Sequence, residues 1–195
     1  MLSSNSEINK RENEKKEFLD ILDENGIKTG EILSRKEIHK KGLWHRAIVV
    51  AIVNEENEVL IQQRSANKDK NPNMWDISAA GHLSTGQDSL SAATREISEE
   101  VTVSIGFSVE VKDFRFMFSF KKQQVFKDDF IENQFYDFFI LRQNGLTADS
   151  LRFQASEVQA VKFVTVAELK EMIERKEMVE RDECYNELSN YLFRF

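Results

Sequence analysis

The sequence predicts one domain of α/β (α+β) class, and three observations lead there. Residues 46–53, RAIVVAIV, form an unbroken β-branched and small apolar run, suited to a central buried strand. Strand-like and helix-like stretches are interspersed with no linker or internal repeat between them. Residues 88–101 join a capping start to an apolar stripe at helical spacing. At 195 residues, with 41% hydrophobic and 31% charged residues, the chain fits one domain with a sizeable core.

In chain order, residues 1–16 are polar and charged without apolar periodicity, and are expected to form an exposed arm ahead of a single domain at 17–195. The opening MLSSNSEINKRENEKKE lacks an apolar h-region, so it is no secretory signal. EFLDILDENG and IKTGEILS flank Asn25-Gly26, a hairpin dipeptide. After the strand at 46–53, EVLIQQ (58–63) reads as its neighbour, and SANKDKNPNMWD as a polar loop holding the single proline, Pro72. Phe114, Phe116, Phe118 and Phe120 recur at period two, which predicts one strand face packed into the core. NQFYDFFIL (133–141) and VQAVKFV (158–164) read as two further strands, and 166–175 and 180–192 as terminal helices.

Composition excludes several classes. No apolar run approaches the roughly 18 residues needed to cross a bilayer. Cys184 is the single cysteine, which rules out an intrachain disulfide and fits a reducing, cytoplasmic setting. A formal net charge of −7 argues against a nucleic-acid polymer as partner. It leaves small phosphorylated substrates open, because a bound cation supplies positive charge locally.

The stretch from Gly81 to Val103 carries the chemistry. Asp88 and Ser89 are N-cap candidates, and Leu90, Ala93, Ile97 and Val101 form the buried stripe. Glu96, Glu99 and Glu100 cluster on a second face at i, i+3 and i+4. Carboxylates that close repel unless cations sit among them, and oxygen ligands of this kind suit Mg²⁺ or Mn²⁺. Arg95 lies beside the cluster, able to steady a carboxylate or phosphate with its planar fork.

With Gly81, Arg95-Glu96-Ile97, Glu99-Glu100 and Val103 at their spacing, the stretch resembles the Nudix box. Two positions depart from that pattern: Gln87 stands for a Glu and Thr102 for a Gly. The resemblance implies the Nudix fold, a mixed β-sheet sandwiched between helices, here with an N-terminal β-hairpin extension. It implies metal ligation by Glu96, Glu99, Glu100 and the Gly81 carbonyl, with Glu100 the first choice as essential ligand. By the same resemblance a homodimer is a candidate assembly.

Beyond the box, His39, Leu43 to Ala47, Gln63-Arg64-Ser65, Lys68, Pro72, Trp75 to His82 and Glu132-Asn133-Gln134 look like the branch that includes type I isopentenyl diphosphate isomerase. An isomerase of that type needs a cysteine and a glutamate where this chain has Ala80 and Gln134. Neither residue moves a proton, so hydrolysis is favoured over isomerisation. The branch resemblance also implies a second cation site at His39, His45, His82 and Glu132, of a kind suited to Zn²⁺ or Mn²⁺. It assigns Arg64 and Lys68 to the diphosphate.

The implied reaction is attack of water on phosphorus in a small diphosphate, such as a nucleoside di- or triphosphate. Glu96 or Glu132 would orient or deprotonate the water. Trp44, Trp75, Phe126 and Phe135 are available to stack a base, although core or loop packing is the plainer reading of each. A non-catalytic diphosphate sensor on the same fold is the rival from another class, motivated by Gln87 and Thr102.

Overall fold

Strand β3 (Trp44–Val53) is the spine of the molecule, because its residues are apolar on both faces and have a partner on each side. The computed structural model describes residues 17–68, 70–103, 111–127, 130–153 and 155–192; the arm at 1–16 lies outside the described residues. β3 pairs in parallel with β9 (Phe130–Arg142), antiparallel with β6 (Ala79–His82) and, at its ends, with β1 (Phe18–Leu22) and β4 (Val59–Arg64). The mixed sheet runs β11-β4-β3-β1-β2, with β2 at Lys28–Ser34 and β11 at Val158–Val164; β5 (Trp75–Ile77) joins β4, and β8 (Phe114–Lys127) joins β9.

Alternation along β3 divides the interior into two layers. Ile48, Val50 and Ile52 pack with Ala92, Ala93 and Ile97 of α2 (Ser89–Glu100). Val49, Ala51 and Val53 pack with Leu169 and Met172 of α3 (Val166–Glu174), and with Cys184, Leu188 and Leu192 of α4 (Asp182–Leu192). This is the sheet between helices that the sequence predicts. The hairpin at Asn25-Gly26 is present, with Gly26 at φ 81°.

Three features differ from the sequence reading. A helix α1 (Arg35–Lys41) follows β2, started by a Ser34/Glu37 capping box and ended by Gly42 at φ 62°. The polar loop read at 65–76 ends early, because Trp75 and Asp76 already belong to β5, with β6 following at once. The four phenylalanines of β8 do not share a face. Phe116 pairs with Phe139 and Phe118 with Phe138, so Met117 is an extra residue, a bulge that reverses the alternation. Phe114 therefore joins the α2 layer, and Phe118 and Phe120 join the α3/α4 layer. Among the described residues no helix is long and apolar enough to cross a membrane.

Candidate active site

Helix α2 begins where Asp88 accepts hydrogen bonds from the backbone N–H of Leu90 and Ser91. It ends without a left-handed residue: Val101 adopts φ −127°, and the chain passes straight into β7 (Thr102–Val103), which pairs with β10 (Leu151–Arg152). Thr102 is accommodated because the backbone turns into a strand there instead of looping back on itself.

The helix turns two acids inward and one outward. Glu96 and Glu100 are each 8% exposed and line a cleft with Gly81, His82, Lys70 and Glu132. Glu99, expected in the same cluster, has a side chain 55% exposed and pairs with Arg95 at 3.2 Å. Oε2 of Glu100 accepts hydrogen bonds from Gln62 Nε2 (3.0 Å) and the Ala80 backbone N–H (3.2 Å). Burial, then the neighbouring Glu100 charge, pushes Glu96 up to about 7. Burial raises Glu100 as well, against the lowering effect of the Gln62 hydrogen bond.

Gly81 makes room for the Glu96 carboxylate. A Cβ there would lie 2.0 Å from Oε1 of Glu96. Arg95 steadies the arrangement: Nη1 reaches Glu96 Oε1 at 2.8 Å, and Nη2 donates to the His82 carbonyl at 2.8 Å and to Gln87 Oε1 at 3.5 Å. Gln87 thus still supports Arg95 as an acceptor, although it carries no charge.

Arg64, Lys68 and Lys70 all line the cleft, each engaged by a protein partner. Arg64 lines the cleft, but its guanidinium donates to the Lys70 carbonyl (3.2 and 3.1 Å) and to Asp76 (3.5 Å), so it braces the loop. Lys68 is paired with Glu157. Lys70, not singled out in the sequence, is paired with Glu132 and lies over the rings of Phe126 and Phe130 at 5.3 and 5.0 Å. Asp76 is wholly buried and takes a two-pronged contact from Arg181, at 2.6 and 3.1 Å, which ties the segment before α4 to the floor of the cleft. Gln62 had one faint signal, a polar residue inside an apolar strand-like run, and Asp76, at the end of a stretch that reads as polar loop, had none locally.

His39 of α1, His45 of β3 and His82 of β6 come together, with ring nitrogens within 4.8 Å of one another. Register explains it: His45 is opposite Gln134 across the β3–β9 pair, and His82 is opposite Ala47 across β3–β6. Glu132 Oε1 stands 3.8 Å from His39 Nε2. Burial, followed by repulsion from the other imidazoles, holds His39 down at about 2 and His45 at about 3; burial lowers His82 also. Cys184 lies in α4 with no exposure, and burial pushes its thiol up to about 12, which fits packing rather than catalysis. Trp44 and Phe135 pack together at 5.1 Å beneath Lys121, and Trp75 lies under Lys162.

Known proteins resemble the chain in sequence and fold. The NUDIX domain family matches residues 43–185. Nudix hydrolase 3 of Arabidopsis thaliana is 37% identical over 160 residues, which is 80% of this chain but only 20% of that protein. A Listeria monocytogenes protein named as an uncharacterized Nudix hydrolase is 35% identical over 153 residues, 78% of this chain and 82% of that one. An isopentenyl-diphosphate Delta-isomerase of Streptomyces avermitilis is 31% identical over 154 residues, 79% and 74% of the two chains. In fold, a crystal structure from Deinococcus radiodurans matches with a TM-score of 0.67 at 21% identity, covering 89% of this chain and 98% of that one.

Proposed function

The chain belongs to the Nudix family, and from that premise we propose that it is a divalent-metal-dependent hydrolase of a small diphosphate. The substrate class is a nucleoside di- or triphosphate or a related nucleotide, cleaved by attack of water on phosphorus. The observation that carries this reading is the buried Glu96–Glu100 pair set against Gly81, where a Cβ would displace the Glu96 carboxylate. Two buried acids whose pKa values are raised by burial, with mutual repulsion added at Glu96, form a donor set that a divalent cation relieves.

Glu96 and Glu100, with the Gly81 carbonyl as a further donor, would hold Mg²⁺ or Mn²⁺, and Glu99 would join them only by leaving Arg95 and swinging in from solvent. Such an ion polarises phosphoryl oxygens and lowers the pKa of an attacking water. Gln62 and the Ala80 N–H fix Glu100 through Oε2 and leave its other oxygen for ligation. Arg95 holds Glu96 in place from the side. Glu96 and Glu132 are the two carboxylates positioned to take a proton from water, each beside a cation that fixes its orientation. Lys68 exchanges Glu157 for the phosphate that is not attacked, Lys70 adds its charge to that phosphate from its place on Glu132, and Arg64 holds the loop carrying them.

Isomerisation is disfavoured on this chain's own residues. Ala80 has no proton to give, and Gln134 is a neutral amide engaged by Tyr136 and two histidines. The test is release of phosphate or diphosphate from a panel of nucleotides and isoprenoid diphosphates with Mg²⁺ or Mn²⁺, wild type against Glu100→Gln. Turnover abolished in the variant supports the reading. A folded, metal-loaded wild type that binds diphosphates without turnover is the sensor, and allylic isomer without phosphate is the isomerase.

A further inference from the structure

Three neutral imidazoles facing one another suggest a second cation, and the resemblance to the isomerase branch implies one. The hydrogen bonds argue otherwise. The Leu43 carbonyl only accepts, so the 3.0 Å contact with His45 Nδ1 puts the proton on Nδ1 and leaves a lone pair on Nε2. That lone pair faces Gln134 Nε2 at 2.9 Å, and the same amide nitrogen lies 2.9 Å from His82 Nε2. The amide has two N–H groups, one for each imidazole. Its Oε1 accepts from the Tyr136 hydroxyl. A reversed amide would set an oxygen against the His45 lone pair, so the tautomer at His45 fixes the orientation of Gln134.

The anionic member is also engaged, since the Lys70 ammonium is on Glu132. Within the described cluster, His39 Nε2 is the ring nitrogen buried without a hydrogen-bond partner. One free lone pair does not hold a transition metal, which takes about three or four protein ligands.

We propose that the Gln134 amide takes the place of a cation among His39, His45 and His82, making the cluster a hydrogen-bonded mount for the active site rather than a metal centre. What it mounts is visible in the next contacts. His82, held through Nε2 by Gln134, offers its carbonyl to Arg95, which holds Glu96, and Gly81 is the residue against which Glu96 packs. Gln134 is a positioning residue for the acidic pair, at one remove from the reaction.

Substitution by glutamate tests the idea because a carboxylate cannot donate to the two lone pairs. Gln134→Glu sets an anion against them, an arrangement that a cation completes. The probe is Zn²⁺, titrated into protein labelled with ¹⁵N at histidine, with Mg²⁺ saturating the Glu96–Glu100 site. In the wild type, the imidazole resonances stay in place through one equivalent of Zn²⁺, and His45 shows the Nδ1–H tautomer. In Gln134→Glu, the His45 and His82 resonances move stoichiometrically. Zn²⁺ affinity rises by at least about 100-fold, the upper end of what losing a mere outer-shell partner costs a metal site.

Stoichiometric movement in the wild type overturns the proposal, as does a folded Gln134→Glu whose imidazoles ignore Zn²⁺. The wild-type titration needs no variant, so a failure of Gln134→Glu to fold leaves a decisive measurement. It reads no turnover, so it stands or falls separately from the hydrolase reading. The positioning role has its own readout: Gln134→Met lowers kcat more than it raises KM, while His45 keeps the Nδ1–H tautomer that the Leu43 carbonyl dictates.

Discussion

Gly81 and Glu96 occupy one space: a Cβ on residue 81 would lie 2.0 Å from Oε1 and 2.1 Å from the carboxyl carbon of Glu96. The missing side chain at Gly81 gives the Glu96 carboxylate its place against β6, beside Glu100 on Ala80. Gly81→Ala must push the carboxylate aside by more than an ångström, and displacement on that scale costs about 100-fold in turnover. The loss should appear in kcat and in Mn²⁺ affinity by calorimetry, with far-ultraviolet circular dichroism unchanged.

Metal-free protein should lose stability through Glu96 as pH rises. The free carboxyl releases its proton near 4.5 and the folded one near 7. Between those values the folded state keeps a proton that the unfolded chain has lost. The stability from this group is complete below 4.5 and disappears as pH passes 7, a change on the order of 3 kcal/mol. Urea unfolding of wild type and Glu96→Gln at pH 5 and pH 8, without metal, reads the difference. Added Mg²⁺ should stabilise the wild type more at pH 8 than at pH 5.

Lys70→Met should weaken substrate binding more than chemistry. A charge-assisted hydrogen bond is worth about 1.5–3 kcal/mol, which corresponds to a rise in KM of roughly 10- to 100-fold. A KM unchanged within twofold would remove Lys70 from the phosphate site. Lys122→Met, altering a cleft residue engaged by the Glu180 carbonyl, is the control.

Asp76→Asn breaks a wholly buried ion pair with Arg181 and weakens the contact with Arg64. Removing one partner of such a pair costs about 3–5 kcal/mol, because the remaining charge is stranded. A lower urea midpoint at unchanged m-value is the expected result.

Cys184 should resist thiol reagents at pH 8. Its thiol is wholly buried and held up at about 12, so little thiolate exists to react. Modification by Ellman's reagent should track global unfolding in urea, and rapid labelling of native protein would show that α4 opens locally.

Where residues act through spacing along one element, the sequence was legible. The central strand follows from its β-branched run, the Asp88 cap from its short side-chain oxygen, and the stripe at Ala93, Ile97 and Val101 from periodicity. Helix α1 was readable too, since Ser34, Glu37 and Gly42 are a start and stop signal, but its seven residues are too short to show a period. Loop chemistry was not readable. Arg64 and Lys70 are six apart, and nothing local says that the Lys70 carbonyl takes the guanidinium while its ammonium goes to Glu132. Glu99 illustrates a further limit, because an i, i+3, i+4 cluster spans enough of the helix circumference for one member to face solvent.

The extra residue at Met117 has a thermodynamic corollary. Phe114 of β8 belongs to the layer under α2, and Met117, Phe118 and Phe120 to the layer under α3 and α4, so detaching the strand strips aromatic rings from both at once. Neither layer can melt while the other survives intact. Heat should therefore take the sandwich apart in one step, with calorimetric and van't Hoff enthalpies that coincide.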